Sequence, residues 1–381
     1  MTSILACTLG IISVISCLYC AVCLIATAKY LQDRKRSPAP SIRPSISLLK
    51  PLKGTDPEMY QSLRSHCVQQ YDDYEIVFGV NTPDDPALAS VRALQHEFPA
   101  CKIRVVVCDR VIGSNRKVSN LAQMTEVAAY DFLVINDGDI RVAPQYLSTI
   151  ASELESPEVG LVTCLYAAVP GNGAWSKVES LGISTDFVPG ILVAKLTEGR
   201  LKFALGSTMA LRKSALERIG GFAAIADYLA DDYQLGARIA SSGLKVELSR
   251  MAVQTFLPNY YSSNFVSHQL RWARTIRSSR PAGYAGLPLT FTFFWALLTL
   301  AIVGPKPWAA ALFLIACVLR GVVATTTAML VLRDRTFAHS AWLLPFRDLL
   351  APIIWLGGLV GNKIEWRGER FELRKGKLIP L

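Results

Sequence analysis

Asp137 and Asp139 stand one residue apart, with Gly138 between them, directly after the apolar run Phe132-Leu133-Val134-Ile135. Carboxylates so spaced offer hard oxygen ligands to a divalent cation, and such a cation would hold a diphosphate. A polar turn with solvated aspartates is the plainer alternative; the place at the end of a buried strand favours ligation. A second acidic pair, Asp231-Asp232, opens a helical run. Acids there suit a helix start, where the dipole favours negative charge, or a general base. The third stretch, His268-Gln269-Leu270-Arg271-Trp272-Ala273-Arg274, is basic and aromatic at helical spacing. It reads as an interfacial amphipathic helix with Trp272 and the arginines at headgroup depth. It reads equally as an arginine and a tryptophan closing over a phosphate.

The elements that must position these residues alternate. Short strands are expected at Ile46 to Leu49, Tyr74 to Val80, Ile103 to Val107 and Phe132 to Ile135. Helices are expected between them, at Tyr60 to Gln70, Ala87 to Phe98 and Lys117 to Ala129. That order predicts an α/β domain with a mainly parallel sheet. Ligands of such sheets sit past the carboxyl ends of the strands. Asp84 and Asp85 follow the second strand, and Asp137 and Asp139 follow the fourth. No Gly-x-Gly-x-x-Gly follows the first strand and no Gly-Lys-Ser/Thr loop occurs, which argues against the usual dinucleotide and P-loop sites.

Half of the 381 residues are hydrophobic, 51%, and the excess is concentrated at the two ends of the chain. Ile4 to Ala28 is long enough to cross a bilayer and reads as an uncleaved anchor. Lys29, Arg34, Lys35 and Arg36 follow it, so the positive-inside rule places the next domain in the cytosol. Pro288 to Gly304 and Trp308 to Leu332 read as a helical hairpin around Pro305-Lys306-Pro307. The last apolar segment, Ala341 to Gly361, is interrupted by Pro345, Arg347, Asp348 and Pro352 and reads as a crossing or a re-entrant dip. Resulting boundaries are 1–36 for the anchor and basic flank, 37–262 for the catalytic domain, 263–286 for the amphipathic helix, and 287–381 for the apolar helices and basic tail.

The net charge of +10 is not a continuous stripe. Basic residues flank the apolar blocks, at Arg274, Arg277, Arg280 and from Arg367 to Lys377, which suits anionic headgroups rather than nucleic acid. The nine cysteines are scattered; Cys20 and Cys23 form a lone C-x-x-C without a second pair or a histidine cluster. Scattered thiols suit a reducing compartment.

The aspartate after the second strand, the Asp-x-Asp after the fourth, the acidic pair roughly ninety residues further on and the Arg-Trp pair before apolar spans resemble the D, D, D, (Q/R)-x-x-R-W pattern. That pattern marks inverting GT-A glycosyltransferases of the family 2 and family 21 type. The local text is closest to the ceramide glucosyltransferase family. The matching stretches are Leu49-Lys50-Pro51-Leu52-Lys53-Gly54, Asp84-Asp85-Pro86-Ala87, Asn115-x-Lys117-x-x-Asn120-Leu121, Asp137-x-x-Ile140-Arg141-Val142, Gly160-Leu161-Val162 and Gly220-Gly221. Within that family, His268 to Arg274 and the closing Trp366-Arg367-Gly368 look most like the bacterial hopanoid-biosynthesis branch. The resemblance covers nearly the whole chain. His268 departs from the usual glutamine or arginine, and Asp231 stands where relatives often carry glutamate, so Asp232 matches the base better.

The resemblance implies a GT-A domain with an N-terminal anchor helix and C-terminal transmembrane helices, in a bacterial inner membrane with the catalytic domain cytosolic. It implies that Asp84 or Asp85 contacts the donor's nucleoside and that Lys117 lies near the diphosphate. Asp137 and Asp139 would hold Mg²⁺ or Mn²⁺, with Asp137 also touching the donor, and Arg271 and Trp272 would cover the leaving diphosphate. Asp232 would take the proton of the acceptor. The expected partners are a UDP-sugar (N-acetylglucosamine or glucose), a lipid alcohol and the membrane, with no nucleic acid. A hopanoid polyol, bacteriohopanetetrol, is the first acceptor and ceramide with UDP-glucose the alternative. A processive polysaccharide synthase needs more spans than this chain offers, and a non-catalytic scaffold would be expected to lack at least one acidic motif.

Overall fold

The computed structural model describes residues 2–35 and 43–381. Arg36, counted above in the basic flank, lies outside the described residues. The chain divides into two compact units, one made of Arg36–Tyr166, Glu198–Pro258 and Phe371–Leu381, the other of Met1–Lys35, Ala167–Thr197 and Asn259–Arg370.

The first unit is an α/β domain. Its main sheet has eight strands, β1 (Ile46–Pro51), β2 (Tyr74–Val80), β3 (Lys102–Val107), β4 (Phe132–Ile135), β5 (Ile140–Arg141), β6 (Val159–Val169), β7 (Met209–Arg212) and β8 (Lys245–Phe256). They form one sheet in the order β3-β2-β1-β4-β7-β6-β8-β5. The first four are parallel, as the alternation of strand and helix requires. The pairs β4–β7, β6–β7 and β5–β8 are antiparallel, so antiparallel strands extend the parallel half of the sheet. The chain leaves β6 for the helical segment that ends at Glu198 and re-enters the sheet in reverse, instead of making a right-handed crossover.

Burial explains the strand text. All six residues of β1 are buried, including Lys50. Leu48, Ile76 and Phe78 join a core with Leu63, Leu94 and Tyr146 from helices on one face. The helix Arg116–Val127 packs against β1 and β2. Its N-cap, Asn115, is fully buried; its Oδ1 accepts from the Val118 N–H at 3.2 Å and its Nδ2 donates to the Tyr228 carbonyl at 2.8 Å. That cap fixes where Lys117 begins its climb. Register does the rest: Leu49 is opposite Ile135, and Ile135 opposite Met209. Lys50, Asp137 and Gly206 are thereby delivered to one edge of the sheet.

In the second unit the helix Thr2–Lys35 packs against Thr292–Val303 and Pro307–Thr325. The contacts are small and polar: the Ser13 and Thr299 hydroxyls lie 2.9 Å apart, and Thr292 Oγ1 donates to the Ser16 carbonyl at 2.9 Å. Membrane helices associate this way, because lipid tails compete with large apolar side chains but not with close packing and hydrogen bonds. Ile4, Ile11, Leu18 and Ile25 form an exposed apolar stripe seven residues apart, fit to face acyl chains. Three described helices are long and apolar enough to cross a membrane, Ile4–Lys35, Pro307–Val331 and Phe337–Leu359. A fourth span results if Pro281–Thr290 and Thr292–Val303, bent by 49°, count as one. None of the nine cysteines is paired in a disulfide.

The helix Asp231–Ser241 approaches the segment before β7 at backbone distance. Gly236 allows this, since a Cβ there would overlap backbone atoms of Phe203 and Ala204. Gly236→Ala should therefore destabilise the protein by about 1–3 kcal/mol, although alanine is the better helix former. Chemical unfolding of the solubilised protein tests this; an unchanged or higher midpoint contradicts the close approach.

Candidate active site

Lys117 is the hub of the acidic cluster. Its Nζ lies 2.8 Å from Asp137 Oδ1 and 3.0 Å from Asp231 Oδ2. Asp232 is next in the ring. Its Oδ2 accepts the Gly206 N–H at 2.8 Å and its Oδ1 the Tyr233 N–H at 2.7 Å. Gly206 keeps the space between carboxylates open, since a Cβ there would sit 3.4 Å from both Asp137 Oδ2 and Asp232 Oδ2. Thus Lys117, Asp137, Asp231 and Asp232, drawn from three separate stretches of sequence, meet at the sheet edge.

The electrostatics follow from one ammonium among several acids. Burial, and then the charge of Asp231, push Asp232 up to about 6, with Lys117 pulling the other way. Burial alone would lower Lys117, but Asp137, Asp231 and Asp232 together hold it above its ordinary value. Asp139 is pushed up to about 6, first by burial and then by Asp137. Its Oδ2 accepts the Thr255 hydroxyl, so it is turned inward, while the Asp137 side chain is 38% exposed.

Lys50 was not foreseen as a site residue. It is fully buried, and its Nζ donates to the Asp137 carbonyl at 2.8 Å. Burial pulls it down to about 7 against the charges of Asp139, Asp137 and Asp56. A lysine at the carboxyl end of an otherwise apolar strand was the signal available. Asn136 also escaped notice; its Nδ2 donates to the Ser207 carbonyl at 2.7 Å and to Thr208 Oγ1 at 3.1 Å, which joins β4 to the segment carrying Gly206.

Does the donor set fit Mg²⁺ or Mn²⁺? The oxygens are of the right hardness, but no group of three His, Cys, Asp or Glu side chains converges among the described residues. A magnesium ion bound with a nucleotide needs only one or two carboxylates, since phosphates and water complete its shell. The open Asp137 fits a cation of that kind. It does not fit an ion held by protein side chains alone.

Asp85 is engaged in structure. Its Oδ1 accepts the Gly54 N–H at 3.0 Å and the Ala87 N–H at 2.9 Å, linking the loops after β1 and β2 and starting the helix Ala87–Glu97. Asp84 beside it is exposed.

Arg271 and Trp272 belong to the helical unit, on the helix Ser262–Ser279. Trp272 packs against Phe187 at 5.6 Å between ring centroids and against His268 at 5.5 Å. His268 stacks on Tyr260, and its Nδ1 lies 3.0 Å from buried Glu179 Oε1. Its departure from the usual glutamine or arginine thus has a local partner. Arg271 lines a cavity of about 560 Å³ with Arg274 and Lys363, and burial lowers it below its ordinary value. Arg274 and Arg277 depart from the headgroup expectation. They donate to carbonyls at the carboxyl end of the last long helix and just beyond it, among them Gly358 at 2.7 Å and Val360 at 3.0 Å. Carbonyls there lack partners within their own helix.

The family model described as Glycosyl transferase family 21 matches residues 8–379. Ceramide glucosyltransferase 1 of Caenorhabditis elegans is 25% identical over 359 residues, covering 91% of this chain and 75% of the relative. Ceramide glucosyltransferase 3 of the same organism is 24% identical over 382 residues, covering 96% and 80%. Among solved structures, the mannosyltransferase PcManGT of Pyrobaculum calidifontis, in complex with GDP-Man and Mn²⁺, is 18% identical with a TM-score of 0.48, covering 91% of this chain and 99% of that one. These relatives correct the order of acceptors expected from the sequence: they favour ceramide and lend the hopanoid branch no support.

Lys117→Met would leave Asp137, Asp231 and Asp232 without their cation. Removing one partner of a buried pair costs up to about 3–5 kcal/mol. The loss should be larger at pH 8 than at pH 5, because Asp232, pushed up to about 6, is largely protonated at pH 5 and its repulsion of the other acids is relieved. Melting curves in chelator at both pH values check this; an equal loss at both would exclude the hub.

Proposed function

We propose that this chain, which belongs to glycosyl transferase family 21, transfers a hexose from a nucleoside-diphosphate sugar to a membrane-lipid hydroxyl, with Asp232 as general base. The observation that carries the reading is the ring of Lys117, Asp137, Asp231 and Asp232 at the carboxyl edge of the sheet. A base works best with a pKa near the working pH, and Asp232 at about 6 meets that condition. The two backbone N–H groups on its oxygens fix its direction.

In the mechanism, Asp232 accepts the proton of the acceptor hydroxyl as that oxygen attacks the anomeric carbon from the face opposite the diphosphate. The bond from the anomeric carbon to the phosphate oxygen breaks, and its electron pair leaves with the diphosphate. Lys117 supplies fixed positive charge near that group. A divalent cation at Asp137, with Asp139 behind it, would supply Lewis-acid neutralisation of the leaving charge. Asp84 or Asp85 is assigned to the nucleoside, and Arg271 with Trp272 to the departing diphosphate, on the motif match.

Ceramide with glucose is the preferred pair, since the two Caenorhabditis elegans relatives are ceramide glucosyltransferases by name, and UDP as the carrier rests on the motif match. Bacteriohopanetetrol with UDP-N-acetylglucosamine rests only on His268 to Arg274 and Trp366-Arg367-Gly368. Lys29, Arg34 and Lys35 after the anchor support a cytosolic catalytic unit. Protease added outside intact cells should then leave 45–257 uncut, and cleavage there would overturn the orientation.

Asp232→Asn should lower turnover by about 10²–10⁴-fold with donor affinity retained. Asp231→Asn should act more on donor binding, because Asp231 shares Lys117 with Asp137. In the wild type, kcat/KM should rise about tenfold per pH unit up to about pH 6 and then level, since the base must be deprotonated to act. Transfer assays with both donor and acceptor pairs, over pH 5 to 8, test all three. Near-normal turnover in Asp232→Asn would falsify the base.

A further inference from the structure

The helical unit carries charge where its spans are most apolar. Arg320 lies midway along Pro307–Val331, and Arg347 and Asp348 midway along Phe337–Leu359. Ionisable groups in such positions are costly and mark functional sites. Arg320 is fully employed. Its Nε lies 2.9 Å from Asp348 Oδ2, its Nη2 lies 2.7 Å from both Asp348 Oδ1 and Asp186 Oδ1, and its Nη1 donates to the Thr185 carbonyl at 2.7 Å.

Arg347 is different. Its Nη2 forms an ion pair with Asp186 Oδ2 at 3.2 Å, while its Nε and Nη1 are buried with no hydrogen-bond partner among the described residues. Unsatisfied guanidinium donors in an apolar unit are expensive. Gly182 lets the guanidinium lie against the helix, since a Cβ there would come within 2.6 Å of Arg347 Nε. Asp186 is the open side of the group through Oδ1, its Oδ2 being buried against Arg347. Its side chain is 36% exposed, against 9% to 11% for Arg320, Asp348 and Arg347. It sits on a π-helical turn, Ile183–Phe187, an irregularity frequent at functional sites. The next residue, Phe187, packs on Trp272.

Two arginines and two aspartates sum to zero. A charged ligand would leave one charge uncompensated in a medium of low dielectric. An uncharged head with hydroxyl and carbonyl groups would meet both the idle donors and the open carboxylate.

We propose that Asp186 and Arg347 form the site that grips the uncharged polar head of the lipid acceptor, with the Arg320–Asp348 pair as its rigid base. This rests on the lipid-acceptor reading above. Arg347 donates to a carbonyl or hydroxyl oxygen of the head, and Asp186 accepts from its amide or a second hydroxyl. An amide lipid and a polyol lipid share this chemistry.

The test uses the full chain in mixed micelles, with short-chain ceramide and UDP-glucose in one arm and bacteriohopanetetrol and UDP-N-acetylglucosamine in the other. In D186N and R347Q the acceptor KM should rise about 10–100-fold in the arm the wild type uses, with donor KM and slow donor hydrolysis within about twofold. Should the variants fail to fold, the wild type still decides. N-methylating the ceramide amide, or removing the polyol hydroxyls beyond the reacting one, should raise the acceptor KM by a similar factor, and phosphatidylglycerol should not compete. Unchanged acceptor KM in the variants, no discrimination by the wild type, or competition by the anionic lipid each overturns the site. Wild-type protein that binds and hydrolyses the donor but glycosylates no lipid alcohol overturns the broader reading, and this site with it.

Discussion

One ammonium group, that of Lys117, balances the acids gathered at the edge of the sheet. Asp137, Asp231 and Asp232 surround it, and Asp139 lies behind with the buried Lys50. Burial first, and a neighbouring aspartate second, raise Asp139 and Asp232 at this edge. An anionic donor entering alone would meet repulsion. A donor arriving with its own cation would not, and one open carboxylate such as Asp137 would then be enough on the protein side. Burial, with the charge of Asp231, sets Asp232 apart from an ordinary surface acid.

The helical unit solves the opposite problem, that of burying polar groups without water. It does so with arginine. Arg320 draws two carboxylates and a backbone carbonyl around itself, and Arg274 and Arg277 are spent on the unpaired carbonyls at and beyond the end of the helix Leu344–Leu359. Basic residues that looked only like a lipid-facing fringe thus also cap a helix end, partly exposed as they are. Charge counting along a sequence has no means of telling these roles apart.

Local pattern was legible. The four parallel strands, their helices and the acids at their ends follow from alternation of apolar and polar residues and from the rule that ligands sit at carboxyl ends. Strand direction beyond β4 was not, because it depends on where the chain goes between Val169 and Met209 rather than on any strand's own residues. Lys50 was hidden by its type: a lysine in a buried strand looks like the end of that strand. Asp186 and Arg347 were hidden by separation, since they stand 161 positions apart and neither stands in a motif. Arg347 had been noted only as an interruption of an apolar run. The segment Ala167–Thr197 has ordinary globular text, and only its packing groups it with the apolar helices.

The last residues of the chain return to the first unit. The Leu378 N–H donates to the Asp227 carbonyl at 2.7 Å and the Leu229 N–H to the Gly376 carbonyl at 3.1 Å, just before Asp231 and Asp232, while Lys377 lies over the Tyr228 ring. The stretch that leads into Asp231 and Asp232 is thus clamped by the strand Lys377–Pro380, which follows the described apolar helices in the sequence. During translation, the ribosome must deliver those helices before that clamp can close. A nascent chain whose eight-stranded sheet is already built would still lack a firmly held Asp232. Timing of membrane insertion and onset of chemistry are thereby tied together by the order of the polypeptide itself.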